Sequence, residues 1–444
     1  MYIGLMALLV YITVILIWAT VIKRNMAEGM LVGLLVVCLF GKTSFFNLFF
    51  TGLQSAVVNE VLFASLMFII MSFLMIESGL LNKILLIFNS LLGHVKGGPA
   101  FVNIAISAFF GMLSGSNSAN TATAGAFTAP WMLETGWKPD KVATFVAGNG
   151  GLGAGFPPSA SMFIMLGFAQ VSDLISEGEL YLGLFVSGLY QVAYRLVLVF
   201  ILMKNQNINV TFHGANESFW LTFKKNWTAL LVFLGAIIPV LVTVGPISKL
   251  LPTEIVASIS LLNWIPTLMI TIILTLGWKT LKEKIFDVNY CVENLFPQFK
   301  TIGGVLLFAF AASEVLAKLG LADSLVQVFE LLSLPKGLMV LGVALLVVLV
   351  AGPLSSTATL TSIGLIAFHG MISAGVTPLA AVVSILVFAS TEGASPPASG
   401  SIFIASSLVN VEPEKTFVPL VVYFVIPILI IGWLIAMGYL PLFV

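Results

Sequence analysis

Apolar residues run on along most of the chain with few polar interruptions, in stretches near the 20 or so residues that a membrane-crossing helix needs. Such stretches lie near 3–22, 29–40 (short), 61–80, 180–203, 228–250, 255–276, 301–320 and 417–440. The first has no small-residue cleavage site before Lys23-Arg24 and is read as a retained helix. Two further regions, about 99–170 and 337–407, are apolar overall but broken by Gly, Pro, Ser, Thr and Asn. Within hydrocarbon every backbone N–H and C=O needs a partner. Non-helical backbone at that depth is tolerated only inside protein or along a watery cavity. The pattern predicts an all-α polytopic membrane protein whose machinery sits in the two broken regions.

Composition narrows the alternatives. The 444 residues are 59% hydrophobic and 9% charged, with a mean hydropathy of +1.11. Soluble domains carry about 25% charged residues, so a soluble enzyme and a disordered chain are both excluded. A net charge of zero argues against nucleic acid as a partner. Cys38 and Cys291 are far apart and His94, His213 and His369 are scattered. Neither a disulfide framework, a metal ligand set nor a nucleophile–His pair can be assembled, so no enzyme and no cofactor is expected. The 35 phenylalanines are expected mainly as lipid-facing filler, with Trp220, Trp227, Trp264 and Trp433 marking interfaces.

The two broken regions are copies of each other. Setting Pro157-Pro158 on Pro396-Pro397 gives an offset of 239 residues, which also sets Ser116 on Ser355, Ala119 on Ala358, Gly125 on Gly364, Gly136 on Gly375 and Pro139 on Pro378. Each copy reads as a re-entrant hairpin (99–133 and 337–371) followed by one interrupted crossing helix (142–170 and 378–406). With that threading, fourteen of the nineteen basic residues fall on one side, four on the other, and Arg195 inside a helix. The richer side is the cytoplasm by the positive-inside rule, and both termini face outward. The hairpins then enter from opposite sides, the inverted repeat that gives secondary carriers a midplane site and two access states.

The expected organisation has N-terminal scaffold helices over 1–60, a first repeat over 61–203, a polar cytoplasmic link over 204–226, scaffold helices over 227–300 and a second repeat over 301–444. Segments 83–96 and 321–335 read as interfacial amphipathic helices bracing the hairpins.

The hairpin tips carry the polar chemistry: Gly115-Ser-Asn-Ser-Ala-Asn-Thr-Ala-Thr123 and Gly352-Pro-Leu-Ser-Ser-Thr-Ala-Thr359. The breaks are Gly148-Asn-Gly-Gly-Leu-Gly-Ala-Gly155 with Phe156-Pro-Pro-Ser159, and Ser390-Thr-Glu-Gly-Ala-Ser-Pro-Pro397. Glycines let the backbone open, and Pro-Pro stops one helix and starts another. Opened carbonyls suit a small cation, new N-termini suit an anion, and hydroxyls and amides complete an all-oxygen shell for a hard ion such as Na⁺. Ion binding is therefore assigned to Ser116, Asn117, Asn120, Gly151, Gly153, Ser355, Ser356, Thr357 and Glu392. Substrate binding is assigned to Ser118, Thr121, Pro158, Ser159, Thr359, Ser395, Pro397 and Ser399. Glu392 is the sharpest single residue, because an ionisable group at membrane depth is a functional candidate by default. Glu77, within reach of Lys83, and the Glu314–Lys318 pair read as structural. Arg195 either snorkels or holds a helix–helix contact.

On these residues the chain resembles the large membrane subunit of tripartite ATP-independent periplasmic (TRAP) transporters, within the ion-transporter superfamily of elevator carriers. The likeness runs through Gly115-Ser116 to Gly125, Pro157-Pro158-Ser159, Pro396-Pro397 and Leu251-Pro-Thr-Glu-Ile-Val-Ala257. It implies a rigid scaffold with a sliding transport domain, and Na⁺-coupled import of a small organic anion across the inner membrane. It further implies an extracytoplasmic binding protein and a separate small four-helix membrane subunit. Two positions depart from the family's pattern. The second tip has no Asp, and Glu392 stands where a small residue is more usual. The alternative reading is a stand-alone proton- or cation-coupled organic-anion carrier of the same superfamily, working through Glu392 without a binding protein.

Overall fold

The computed structural model describes residues 3–22, 24–93, 95–114, 116–208, 218–243, 247, 250–252, 256, 259–321, 324, 334–351, 354–396 and 399–443. Among them the chain is helical throughout, with no strand. Among the described residues, four helices are long and apolar enough to cross a membrane: Glu177–Gln206, Phe219–Thr243, Asn263–Phe286 and Glu414–Ala436. The pair Lys42–Val57 and Leu62–Glu77, bent by 49°, makes a fifth if taken as one span. Shorter apolar helices, such as Ile3–Ile15 and Met26–Leu39, fill in around them.

Local sequence explains where the helices start and stop. Glu177–Gln206 opens on a capping box in which the Ser176 hydroxyl accepts from Glu179 N and the Glu179 carboxylate accepts from Ser176 N. Its last residue is followed by Asn207 in the left-handed region (φ 54°), a common helix stop. The apolar stretch expected over 255–276 is a helix displaced along the chain to Leu261–Phe286. Phe45–Val57 is an additional helix that the apolar runs did not single out.

The broken regions keep the same register. The helices Asn117–Glu134 and Ser356–Ser373 are both 18 residues long, and Pro139–Gly150 and Pro378–Ala389 are both 12, each pair related by the 239-residue offset. Ser116 and Ser355 cap the first pair, their hydroxyls accepting from Ala119 N (3.3 Å) and Ala358 N (3.2 Å). Gly136 (φ 90°) and Gly375 (φ 78°) make the left-handed turns into Pro139 and Pro378, which occupy the first helical position. Gly98–Ser114 and Lys336–Ala351 supply the other arm of each hairpin.

Three expectations need correction. Glu77 pairs with Lys284 (2.5 Å) and accepts from the Tyr290 hydroxyl (2.7 Å), not with Lys83, because the helix Leu261–Phe286 packs alongside Glu60–Glu77. Phenylalanine is as much core as lipid-facing filler: Phe110, Phe145, Phe163, Phe368, Phe388 and Phe424 are fully buried, filling volume between packed helices. Arg195 does not snorkel; it is fully buried. The Glu314–Lys318 pair forms as expected, at 3.3 Å. Trp220, Trp227 and Trp264 are exposed, whereas the Trp433 indole donates to the Gly337 carbonyl (3.0 Å). The amphipathic segment at 83–96 is the helix Leu80–Leu92, begun by Gly79 at φ 72°. Most of its counterpart at 321–335, and parts of the 204–226 link and the 251–257 motif, lie outside the described residues.

Candidate functional site

The two tip helices begin where the second break passes, and a cavity of about 520 Å³ opens between them. Ser116, Asn117 and Ser118 from the first tip, Ser355, Ser356 and Thr357 from the second, and Glu392 from the break all line it. The opposite wall, with Ser65, Phe68, Ile69, Ser72 and Ile76, belongs to the helix Glu60–Glu77. The centre is a three-way contact. Asn117 Nδ2 donates to Ser356 Oγ (3.0 Å) and to Glu392 Oε2 (2.5 Å), and Ser356 Oγ lies 3.2 Å from Glu392 Oε2 and 3.1 Å from the Ala389 carbonyl. Asn117 and Ser356 stand 239 residues apart, so equivalent positions of the two copies touch.

A second ring of polar residues sits just behind. Asn120 is buried and donates to the carbonyls of Ser107 (2.9 Å) and Gly150 (3.0 Å), tying the first hairpin to the first break. Gly150 faces three oxygens: a β-carbon built there would stand 2.1 Å from Thr121 Oγ1, 2.9 Å from the Asn117 carbonyl and 3.3 Å from Ser401 Oγ. A β-carbon on Gly151 would meet the Ser390 carbonyl oxygen at 2.1 Å, and the backbones of Gly111 and Gly153 are in contact. Only glycine fits such approaches. Ser159 caps Ala160–Leu166 by accepting from Met162 N (3.3 Å), just past the buried Pro157-Pro158. Ser395 donates to the Thr391 carbonyl (2.9 Å) inside the second break.

Of the predicted residues, then, Ser116, Asn117, Ser118, Ser355, Ser356, Thr357 and Glu392 share one cavity. Asn120, Thr121, Gly151, Gly153, Pro158, Ser159, Thr359, Ser395 and Ser399 are buried around it without lining it, and Pro397 lies outside the described residues. Oδ1 of Asn117 and the hydroxyls of Thr121, Thr359, Ser399 and Ser401 are buried and have no hydrogen-bond partner among the described residues. Hydroxyl and amide oxygens are ligands for hard cations.

Sequence reasoning missed a buried polar chain beneath the first break. Arg195 Nε donates to Asn149 Oδ1 (3.1 Å), its Nη2 to the Gly148 carbonyl (3.3 Å) and its Nη1 to the Gln191 carbonyl (3.2 Å). Asn149 Nδ2 continues to Asn103 Oδ1 (2.7 Å), and Asn103 Nδ2 to Thr128 Oγ1 (2.7 Å). The guanidinium thus covers a carbonyl at the C-terminal, negative end of Pro139–Gly150, with the Phe424 ring 5.7 Å away. Amides inside apolar runs, at 103, 149 and 191, were the available signal.

Fold and site together define a multi-pass membrane protein with a polar cavity built from two interrupted hairpin–helix units. Residues 3–442 match the model of the tripartite ATP-independent periplasmic transporter, DctM component, and the chain belongs to that family. It is similar to the isethionate TRAP transporter permease protein DctMQ of Oleidesulfovibrio alaskensis, at 34% identity over 32% of this chain and 21% of that one. It also resembles the C4-dicarboxylate TRAP transporter large permease protein DctM of Vibrio cholerae, at 26% identity over 38% of this chain and 36% of that one. A protein assigned as a TRAP transporter large permease in Haemophilus influenzae is 28% identical over 42% of this chain and 44% of its own. The aligned part thus spans less than half the length of these curated relatives. Among solved structures, MtrF of Neisseria gonorrhoeae, described as illuminating a class of antimetabolite efflux pumps, superposes with a TM-score of 0.61. That match covers 89% of this chain and 85% of that one at 13% identity, a likeness of fold alone.

Proposed function

We propose that the protein is the large membrane subunit of a secondary carrier that imports a small organic acid across the inner membrane, coupled to Na⁺. The reading takes the two broken units as an inverted repeat, with the tips and breaks forming a transport domain that slides against the remaining helices, and both termini on the outer side. A binding protein that delivers substrate and a small membrane subunit would complete it, as the family and its named relatives suggest. The observation that carries the proposal is the meeting of Asn117 and Ser356, at equivalent positions of the two copies, on one cavity. A site shared by two related tips is what alternating access about a midplane axis requires. In this reading the N-terminal N–H groups of the two tip helices receive the substrate's acid group. Na⁺ is held at the two tips by oxygens of Ser116, Asn117, Ser355, Ser356 and Thr357, which line the cavity.

The test is uptake in proteoliposomes containing the full chain, with its partners supplied where the genome encodes them beside it. Uptake should depend on a Na⁺ gradient, and Ser116→Ala or Ser355→Ala should weaken that dependence. Full activity without Na⁺, driven by a pH gradient and lost in Glu392→Gln, would replace this reading with the proton-coupled carrier. Cysteines at 134 and 373, the exposed and equivalent far ends of the two tip helices, should label from opposite compartments; labelling of both from one side would end the inverted-repeat reading.

A further inference from the structure

Among the described residues that line the cavity, Glu392 is the one charged group, and no Lys, Arg or His joins it. Its carboxylate accepts from Asn117 Nδ2 (2.5 Å, on Oε2) and from the backbone N–H of Ser356, with the Ser356 hydroxyl 3.2 Å from Oε2. Two unpartnered oxygens lie on the same wall system: Oδ1 of Asn117 and Oγ of Ser65, both on residues 2% exposed. The Asn117 and Ser356 donors hold the carboxylate in place, and none of them carries a positive charge. A purely anionic substrate would meet this carboxylate with no cation among the described lining residues to offset the repulsion. A protonated nitrogen, with several N–H donors and a positive charge, matches the same surface.

We infer that the cavity takes a zwitterion, an acid whose carboxylate or sulfonate lies against the N-termini of the two tip helices while its protonated nitrogen lies against Glu392. This rests on the transport-site reading above. It makes Glu392 the residue that separates amino-bearing acids from their hydroxy counterparts.

The experiment uses matched probes that exchange an ammonium for a hydroxyl at nearly constant shape: taurine against isethionate, and alanine against lactate. Binding of each radiolabelled probe to the purified full chain in nanodiscs is measured at neutral pH, with and without Na⁺. The amino member should bind about 10- to 100-fold tighter, the range of one hydrogen bond to a charged group. Glu392→Gln should abolish or reverse that preference, and Glu392→Asp, which keeps the charge, should retain its direction. Equal or tighter binding of the hydroxy member by the unaltered chain overturns the inference while leaving the transport site standing. So does a Glu392→Gln chain that loses its response to Na⁺ with the preference intact, since Glu392 would then be a sodium ligand. Hydroxy-acid binding that rises as pH falls, with no amino preference, overturns it in favour of a proton. If no probe binds and Na⁺ changes nothing, the site reading itself fails along with the inference.

Discussion

The two helix breaks share a backbone and differ in charge. Both follow a 12-residue helix opened by proline, and both turn at a residue with φ −63° and ψ −17°, Gly151 in one and Ser390 in the other. In the first, the charge comes from outside: Arg195 on Glu177–Gln206 covers the Gly148 carbonyl and is sealed from the cavity. In the second, the charge is part of the break, and Glu392 reaches the cavity wall. Gln191 connects them, accepting from Arg195 through its carbonyl (3.2 Å) and from the Ser390 hydroxyl through its side chain (3.4 Å). In the proposed reading, one duplicated device is divided between anchoring and recognition. A cation fixed on helix-end carbonyls stabilises an opened backbone, while an acid on the cavity wall is, in the proposed reading, the group that meets the ligand.

The largest expected effect falls on the anchoring side. Arg195→Met strands the Gly148 carbonyl and Asn149 Oδ1, at roughly 1–3 kcal/mol each, and the thermal midpoint in detergent should drop accordingly. Glu392→Gln, which leaves an acceptor for Asn117, should hold the midpoint near that of the unaltered chain. Equal losses in the two variants would erase the distinction between anchoring and recognition. Next comes Gly151→Ala, whose β-carbon would press on the Ser390 carbonyl. It should cost about 1–3 kcal/mol through overpacking and suppress uptake. Gly342→Ala, where a β-carbon meets nothing within 4 Å, should instead stabilise its helix by up to about 1 kcal/mol. Ser116→Ala and Ser355→Ala should each lose about 1 kcal/mol of capping; a difference between them would show that the copies diverge at the tips as well as at the breaks. Smallest is Lys284→Ala, which removes a partly exposed ion pair with Glu77 worth at most about 1 kcal/mol. Its unfolding curve should nearly overlay that of the parent.

The sequence carried the repeat offset, the tip serines and the proline starts because these follow from local rules: capping hydroxyls, φ-restricted proline and left-handed glycine act within a few residues. Partnerships across the fold were not legible in the same way. Glu77 reaches Lys284 over 207 residues, and Lys83, six positions away, was merely the nearest candidate along the chain. Arg195 looked able to snorkel because its flanks are apolar; Gln191, one turn earlier on the same helix, was a legible companion, but Asn149 could be recognised only once two helices were laid side by side. Phe45–Val57 escaped notice because 13 residues are too few to register as a span. Glu392 stood out as an acid in an apolar run. That its two donors are the first residues of both tip helices could come only from the packing.

The glycine contacts decide how the molecule can deform. At 151 against 390, and at 111 against 153, main chain lies on main chain with no side chain between to act as a bearing. Packed surfaces slide by exchanging rotamers, and bare backbone has none to exchange. Wherever a seam between moving and stationary parts runs, it cannot pass through these points. In the proposed sliding reading it follows the side-chain-lined wall where Phe68, Ile69 and Ile76 face the tips across the cavity. In that reading a guest molecule is gripped between one solid piece and a greased rail, and its release is governed by the rail.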